Sequence, residues 1–322
     1  MSLDSIRAPI AADLAQVDEV IRARLASDVV LIRTVANYIV GSGGKRLRPA
    51  LLLLAANACG AQGPARHELA AVIEFIHTAT LLHDDVVDES SLRRGRNTAN
   101  AEFGNAASVL VGDFLYSRAF QMMVGVGSLR IMSVLADATN IIAEGEVLQL
   151  LNIHDPDTDE ESYLRVIRYK TAKLFQAATQ VGAILGNAPE AVESALADYG
   201  MHLGTAFQLI DDVLDYSGDL GEMGKNLGDD LAEGKPTLPL IHAIRAGTAE
   251  ERDIVRRAIE QGGKMELERV VAAIRRVGAL DYARSKAREE AAIAASRLEA
   301  LQGSACRDSL LELAHFSVER NF

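Results

Sequence analysis

The sequence predicts an all-α fold, and three observations support that prediction. Of 322 residues, 49% are hydrophobic, but only 5% are aromatic and Trp is absent. Pro numbers seven while Ala and Leu are abundant, a composition that favours helices over sheets. Apolar residues also recur at helical spacing along most of the chain. No low-complexity linker interrupts this pattern, so we expect a single domain over residues 1–322.

Charge and hydropathy argue against several classes of function. A formal net charge of −12 disfavours a nucleic-acid partner, because a phosphate backbone is bound by clustered Lys and Arg. The longest apolar runs, such as 50–56, are far shorter than the roughly 20 residues of a membrane span, and the first residues lack the pattern of a signal peptide. We therefore expect a cytoplasmic protein. Cys59 and Cys306 are too few for a disulfide framework and are expected to be reduced.

In chain order, the first predicted helix covers 11–40 and ends at the glycine-rich stretch 41–44. Lys45, Arg46 and Arg48 follow, close to the start of a second apolar helix predicted over 50–60. The stretch is not a nucleotide-binding P-loop, because that motif requires Gly at position 39 and Ser or Thr after the lysine. A glycine turn that presents cations near a helix start is still a good site for an anion that carries no metal.

The third predicted helix covers 66–89 and ends in a first acidic motif, Asp84-Asp85-Val86-Val87-Asp88. At about 100° per residue, the first and last Asp of this motif share one helix face with His77 and Thr80. Asp85 lies about 100° away, so we expect it to support the site rather than to bind a metal equally. His83 has no such alignment and is expected to be structural.

The shared face predicts a cation site. Like charges four residues apart on a helix repel each other, so Asp84 and Asp88 destabilise the helix unless a cation holds them. Mg²⁺ suits this arrangement because it is usually bound by one or two carboxylates, several waters and substrate phosphates. Arg93 and Arg94 follow the motif closely, and two guanidinium groups there would supply a bidentate phosphate clamp.

The middle of the chain continues as predicted helices over 105–123, 128–151, 161–186 and 190–216. Lys170 and Thr171 lie on the third of these, after an acidic stretch, 154–160, that we interpret as a solvated loop. The fourth ends in a second acidic motif, Asp211-Asp212-Val213-Leu214-Asp215, and Gln208 precedes it by three residues.

The repetition of the acidic motif is the strongest functional signal in the chain. Asp211 and Asp215 repeat the spacing of the first motif, so two acidic faces opposed across a cavity would hold a diphosphate through shared metal ions. A long charged connection, 218–236, then brings Lys225 and Lys235 into a loop that could close over a charged ligand. After Thr237 the chain is predicted to be helical to its end.

Taken together, these residues resemble the trans-type polyprenyl diphosphate synthases throughout residues 40–240. The resemblance comprises five motifs in the expected order: the basic loop (45–48), His77 with the first acidic motif and the arginine pair, Lys170 with Thr171, Phe207-Gln208 with the second acidic motif, and the two loop lysines. The segment 74–150 is most similar to the bacterial octaprenyl members. Related terpene cyclases typically lack an intact second Asp-rich motif, which is complete here.

The resemblance implies an isoprenoid synthase-type helical bundle around a deep central cavity, usually homodimeric, with three Mg²⁺ ions when substrate is bound. The implied activity is condensation of an allylic diphosphate, such as farnesyl diphosphate, with several isopentenyl diphosphates. The residues implied to bind isopentenyl diphosphate are Lys45, Arg48, His77 and Arg94. Those implied to bind the allylic diphosphate are Arg93, Lys170, Thr171, Gln208, Lys225 and Lys235. The implied metal ligands are Asp84, Asp88, Asp211 and Asp215. The implied catalytic residues are Asp84, Asp88, Asp211, Lys170 and Lys235.

Product length is implied by the residues that precede the first acidic motif. In this family the fourth and fifth residues before it form a floor in short-chain enzymes, where they are often aromatic. Here they are Thr80 and Ala79, both small, so we expect a product longer than twenty carbons. Octaprenyl diphosphate for quinone side chains fits best, and release of so lipophilic a product would involve transient membrane contact.

Four alternatives stay open at this point. A nonaprenyl or other chain-length synthase would share every motif. A noncatalytic subunit of a heteromeric synthase would usually have lost Asp residues. A terpene cyclase would not consume isopentenyl diphosphate, and a diphosphate hydrolase would not need the separate basic loop.

Overall fold

The structure is a computed structural model that describes residues 2–41, 44–93, 95–217, 228–263 and 266–320. As the composition predicts, almost all of its regular structure is helical. The α-helices of the first half are α1 (Leu3–Arg7), α2 (Ala11–Arg24), α3 (Val30–Gly41), α4 (Leu47–Ala58), α5 (Ala65–Val87), α6 (Ala99–Phe103), α7 (Asn105–Val126), α8 (Leu129–Asn152) and α9 (Glu160–Ile167). Those of the second half are α10 (Lys173–Leu185), α11 (Glu190–Leu214), α12 (Asp229–Ala232), α13 (Leu238–Ala246), α14 (Ala249–Gln261), α15 (Leu267–Arg276), α16 (Ala279–Arg297) and α17 (Ala305–Glu319).

The remaining regular elements are short. Strands β1 (Leu92–Arg93) and β2 (Arg96–Asn97) form an antiparallel hairpin just after the first acidic motif. Among the elements that the structure describes, the 3₁₀ segments Ala8–Ile10 and Leu298–Ala300 follow α1 and α16. A π-helical turn, Arg168–Ala172, lies directly between α9 and α10.

The helix predicted over 11–40 is two helices in the structure. The first of them ends at Arg24, and helical geometry resumes at Val30. Ser27 lies in the break, and its hydroxyl accepts a hydrogen bond from the Val29 amide at 3.2 Å. Ser side chains compete in this way for backbone groups that a helix would use, which explains the break despite continuous apolar spacing.

The helix predicted over 161–186 is likewise interrupted, by the π-turn. The apolar spacing continues through the turn because one extra residue in the helix shifts the pattern only slightly, so periodicity alone does not reveal it. π-turns occur frequently at functional sites, and this one carries Lys170 and Thr171.

The chain divides into two compact units. The first comprises Met1–Thr139, Ala177–Ala197 and Leu298–Leu311. Its core includes α4, where residues 51–56 are fully buried, and the equally buried stretch of α5 from Leu69 to Ile73. Gly182 packs against α4 so closely that a Cβ there would lie 2.7 Å from the Leu52 carbonyl oxygen.

The second unit comprises Asn140–Gln176, Asp198–Arg297 and Glu312–Phe322. One of its buried clusters surrounds the end of α11, where Leu209, Ile210 and Val213 pack with Tyr163 of α9. This packing fixes the helix that carries the second acidic motif. Among the described helices of both units, none has the length and hydropathy that a membrane span requires.

Candidate active site

The first acidic motif occupies the last turn of α5. The helix ends at Val87, Asp88 is its C-cap residue, and the Asp88 amide donates to the Asp84 carbonyl at 2.8 Å. A helix carries partial negative charge at its C-terminus, so two carboxylates there are electrostatically unfavourable. Both Asp84 and Asp88 are half-buried. The position of the motif at the helix C-terminus therefore favours a bound cation. The repulsion between the two carboxylates favours it as well.

Asp85 points away from this face, as the helical projection predicts. Its side chain is fully buried, and its Oδ1 accepts hydrogen bonds from Arg93 Nε at 2.9 Å and Nη2 at 2.7 Å. Burial raises the pKa of Asp85 and the Arg93 guanidinium opposes that rise. The Asp85 carbonyl also accepts from Asn100 at 3.0 Å. Asp85 thus anchors the hairpin to the end of α5 and holds Arg93 beside the motif, while Arg94 lies outside the described residues.

The basic loop (45–48) contacts α5 upstream of the motif. Arg48 Nη1 lies 3.0 Å from His77 Nε2, and because arginine can only donate, the imidazole nitrogen is the acceptor. This contact brings together two residues that the sequence predicts to bind isopentenyl diphosphate. Arg46 instead forms an ion pair with Glu74. Lys45, which precedes Arg46, is half-buried.

The predicted chain-length residues lie one turn before the motif. Ala79 is fully buried, whereas Thr80 is partly buried and its hydroxyl donates to the His77 carbonyl at 2.8 Å. His83 lies 3.2 Å from the Val109 carbonyl and 3.3 Å from Asp113, and a Cβ on Gly112 would come within 2.4 Å of its ring. His83 therefore packs α5 against α7, the structural role expected for it.

The second acidic motif occupies the last turn of α11, which ends at Leu214. Asp211 Oδ1 lies 2.7 Å from Arg320 Nη2, a contact that no sequence pattern indicated. Asp215 accepts weaker hydrogen bonds from the amides of Asp229 and Asp230, at 3.2 and 3.4 Å. It therefore holds the start of α12, which adds those two acids to the motif.

Burial makes ionisation unfavourable for carboxyl groups in and beside this motif. Burial raises the pKa of Asp215 to about 8, with repulsion from Asp230 as the second cause. Burial also raises the pKa of Asp230 to about 6. For Asp212 the pKa is raised well above its usual range, again mainly by burial. These shifts mean that burial disfavours the ionised carboxylates, and a bound cation would favour them.

Asp212 is the counterpart of Asp85 and is also turned inward. Its Oδ2 accepts from the Tyr163 hydroxyl at 2.6 Å and its Oδ1 from Gln208 Nε2 at 2.8 Å. Gln208 in turn accepts at 3.1 Å from the Thr171 hydroxyl. This chain of hydrogen bonds links three helical segments and brings together Thr171 and Gln208, both predicted to bind the allylic diphosphate.

The π-turn that carries Lys170 is packed between two glycines. A Cβ on Gly145 of α8 would lie 2.6 Å from the Lys170 backbone nitrogen, and one on Gly204 of α11 would lie 2.6 Å from the Ala172 Cα. Lys170 Nζ donates to Glu146 Oε2 at 2.5 Å. The backbone position of the predicted cation therefore depends on the absence of side chains at two distant positions.

The predicted loop lysines are only partly covered by the structure. Lys235 forms an ion pair with Glu233, and its amide donates to the Asp230 carbonyl at 2.8 Å, next to the second motif. Lys225 lies outside the described residues.

The residues fit divalent cations that share their ligands with substrate. Within the described ranges, no group of three or more His, Cys, Asp or Glu side chains could hold a metal ion by itself. Mg²⁺ does not require such a group, since it commonly takes one or two carboxylates and completes its shell with water and phosphate. Paired carboxylates at a helix C-terminus provide that partial ligand set at each motif.

Three residues of the site were missed from the sequence. Glu74, Tyr163 and Arg320 lie on α5, on α9 and just beyond α17, and they contact Arg46 of the basic loop, Asp212 of the second acidic motif and Asp211 of the same motif, respectively. No local pattern marks them, because their partners are distant in the chain. The only available signal was a charged Glu74 within an apolar helical stretch.

Comparison with known proteins assigns the family. The model of the polyprenyl synthetase family matches residues 29–276. The octaprenyl diphosphate synthase of Escherichia coli strain K12 is 55% identical over 322 residues, covering 100% of both chains. A crystal structure of a decaprenyl diphosphate synthase from Rhodobacter capsulatus has a TM-score of 0.95 and 48% identity, covering 100% of both chains. A polyprenyl synthase from Caulobacter crescentus CB15, complexed with calcium and isoprenyl diphosphate, has a TM-score of 0.95 and 45% identity, covering 100% of this chain and 98% of that one. This chain is therefore a member of the polyprenyl synthetase family and a prenyltransferase.

Proposed function

We propose that this prenyltransferase condenses an allylic diphosphate with several isopentenyl diphosphates to give a long all-trans chain, and that its product is octaprenyl diphosphate for a quinone side chain. The observation that carries the proposal is the pair of acidic motifs, each in the last turn of a long helix. Both are complete, which argues against a noncatalytic subunit. We also propose that residues 1–322 act as a single synthase domain, since the family match includes residues of both compact units.

Isopentenyl diphosphate is assigned to the basic loop and α5. Lys45 and Arg48 would bind its phosphates together with His77, which already contacts Arg48, and with Arg94. This substrate must keep its diphosphate while its double bond reacts. Because its ionisation would not give a resonance-stabilised allylic cation, its diphosphate can be held by cationic side chains alone, without the metal ions assigned to the allylic substrate.

The allylic diphosphate is assigned to Arg93, Lys170, Thr171, Gln208, Lys225 and Lys235, with metal ions held by Asp84, Asp88, Asp211 and Asp215. We propose three Mg²⁺ ions with substrate bound. When bound, Mg²⁺ would supply positive charge that stabilises diphosphate as it leaves. Lys170 and Lys235 would neutralise the same leaving group. The allylic C–O bond breaks and its electron pair leaves with the diphosphate. The isopentenyl double bond attacks the resulting allylic cation, and the released diphosphate takes up the proton whose loss restores the alkene.

The length of the product is assigned to Ala79 and Thr80. Both are smaller than the aromatic residues that often stand one turn before the first motif in short-chain members of the family. A product longer than twenty carbons follows. The E. coli relative supports eight isoprene units, and the R. capsulatus relative supports ten as the second candidate.

We propose that the enzyme is a homodimer. Leu110 and Val124 of α7 are more than half exposed, and so is Leu129 at the start of α8. Large apolar side chains exposed along one helix are typical of interfaces.

Transient contact with a membrane during product release is part of the same proposal, because a long polyprenyl chain is poorly soluble in water.

One incubation tests the function. The protein is supplied with farnesyl diphosphate, labelled isopentenyl diphosphate and Mg²⁺, and the products are sized by chromatography. Octaprenyl diphosphate is expected. Products of fifteen or twenty carbons only would refute the assignment of chain length, and hydrocarbon products would indicate a cyclase.

Asp84→Asn and Asp211→Asn should each reduce elongation at least a hundredfold, because each removes a charged metal ligand. Full activity in either variant would refute the proposed metal ligands.

A further inference from the structure

The three cations of the basic loop do not have the same surroundings. Arg48 contacts His77, whereas Arg46 turns back toward α5 and pairs with Glu74. We infer that the Arg46–Glu74 ion pair positions the basic loop so that Lys45 and Arg48 can bind isopentenyl diphosphate. This inference rests on the proposed function of Lys45 and Arg48.

Because Glu74 is buried, it is the preferred partner of the Arg46 side chain. The side chain of Glu74 is 8% exposed and that of Arg46 is 19% exposed. A carboxylate removed from water requires a partner, and breaking a buried pair by removing one member is strongly unfavourable. Among the described residues, two other acceptors lie near Arg46 at longer distances, Asp18 at 3.6 Å and the Val40 carbonyl at 3.4 Å. Glu74 is therefore the acceptor that determines where Arg46 goes.

The two loop contacts are coupled through α5. Glu74 and His77 are three residues apart on this helix, so they are neighbours on its surface. Arg46 and Arg48 are two residues apart in the loop. Arg46 contacts Glu74 and Arg48 contacts His77, so the two contacts follow the same chain order on both segments. Fixing the first contact leaves little freedom for the second, so the Glu74 pair also sets the position of Arg48.

The backbone of the loop gives independent support. Arg46 has φ of 44° and ψ of 37°, in the left-handed region that non-glycine residues rarely adopt. Such a conformation is strained and persists only where surrounding contacts hold it. Residue 46 is the N-cap of α4, so this turn directs the chain from the loop into the helix. The buried ion pair with Glu74 is a contact that can hold that turn.

A competing role for Arg46 predicts the opposite result. If Arg46 bound the diphosphate itself, Glu74 would be a competitor, and removing its charge would strengthen the binding of isopentenyl diphosphate. If Arg46 positions the loop, removing the charge of Glu74 releases the loop and weakens that binding.

The test is calorimetric titration with isopentenyl diphosphate alone, which binds without reacting when no allylic substrate is present. We expect Glu74→Gln and Arg46→Met each to raise its dissociation constant about tenfold. The matched control is Glu68→Gln on the same helix, where Glu68 pairs with Arg24 at 2.8 Å on the protein surface. We expect the control to stay within twofold of the wild type. A dissociation constant for Glu74→Gln that is unchanged or lower would overturn the inference.

Steady-state kinetics separate positioning from general damage. In Glu74→Gln the KM for isopentenyl diphosphate should rise about tenfold, while the KM for farnesyl diphosphate stays within twofold. Equal increases for both substrates would contradict a role confined to the basic loop. In the double variant the two effects should not add, because either change alone already breaks the pair. Additive effects would show that Glu74 does not act through Arg46.

Two further measurements keep the result interpretable. Thermal unfolding identifies a variant that fails to fold, and Arg46→Lys, which keeps the charge, should recover part of the affinity. Lys45→Ala separates this inference from the proposed function. If Lys45→Ala weakens isopentenyl diphosphate binding and Glu74→Gln does not, the substrate site stands and the positioning role fails. If neither weakens it, the substrate assignment itself fails.

Discussion

Raising the pH is expected to destabilise the magnesium-free protein through the second acidic motif. Burial, with repulsion from Asp230, raises the pKa of Asp215 to about 8. An aspartate in an unfolded chain has a pKa of about 4, so between these values the folded protein binds the proton more tightly than the unfolded chain does. The contribution of that proton to stability is present at low pH and is lost as the pH rises toward 8.

The size of the effect follows from the same values. Between pH 6 and pH 8 the unfolded chain keeps this aspartate ionised, whereas the folded protein must release a proton that it holds tightly. One pKa unit corresponds to about 1.4 kcal/mol, so the free energy of unfolding should fall by about 2 kcal/mol over this range. Mg²⁺ with inorganic pyrophosphate should remove most of the loss, because a bound cation offsets the carboxylate charge.

The assay is urea unfolding at pH 6 and pH 8 in the presence of a chelator. Asp215→Asn is the informative variant, because the amide oxygen can still accept the amides of Asp229 and Asp230 but the group does not titrate. Between pH 6 and pH 8, the free energy of unfolding of this variant should change by less than half as much as that of the wild type. Asp157→Asn is the control, since the Arg256 ion pair lowers the pKa of that exposed acid and it does not titrate in this range. Equal losses in wild type and Asp215→Asn would refute the reasoning.

Three further changes test the structure around the site. Arg320→Met should lower the free energy of unfolding by about 1 to 3 kcal/mol, because it leaves Asp211 and the Phe207 carbonyl without a donor at 2.7 Å; a stability within 0.5 kcal/mol of wild type in urea would contradict this. Gly145→Ala should lower the free energy of unfolding by about 1 to 3 kcal/mol, because the new methyl group forces the π-turn away, and it should raise the KM for the allylic substrate. Its control, Gly125→Ala, meets no atom within 4 Å and should be neutral or stabilising in the same unfolding and kinetic assays. Thr80→Phe should shift the sized products toward shorter chains, and unchanged octaprenyl product would show that this position does not limit chain length.

The helices were largely predictable because their signals are local. The helix predicted over 66–89 is found at Ala65–Val87, and the one predicted over 190–216 is found at Glu190–Leu214. Helical projection also placed Asp84 and Asp88 on one face and Asp85 off it, and the structure buries Asp85 accordingly. The break at 25–29 was missed because a single serine contact interrupts the helix without changing the apolar pattern.

The site was predictable as a set of residue types but not as a set of contacts. The sequence by itself determined the all-α class, the two acidic motifs and the cations near them, because charge and spacing are local properties of the chain. Only the tertiary structure decided which loop arginine faces α5 through His77 and which through Glu74. It also decided that Arg320, far along the chain, neutralises Asp211. The physical reason is that a buried charge takes whichever partner the packing brings within hydrogen-bond distance, and that partner leaves no mark in the neighbouring sequence.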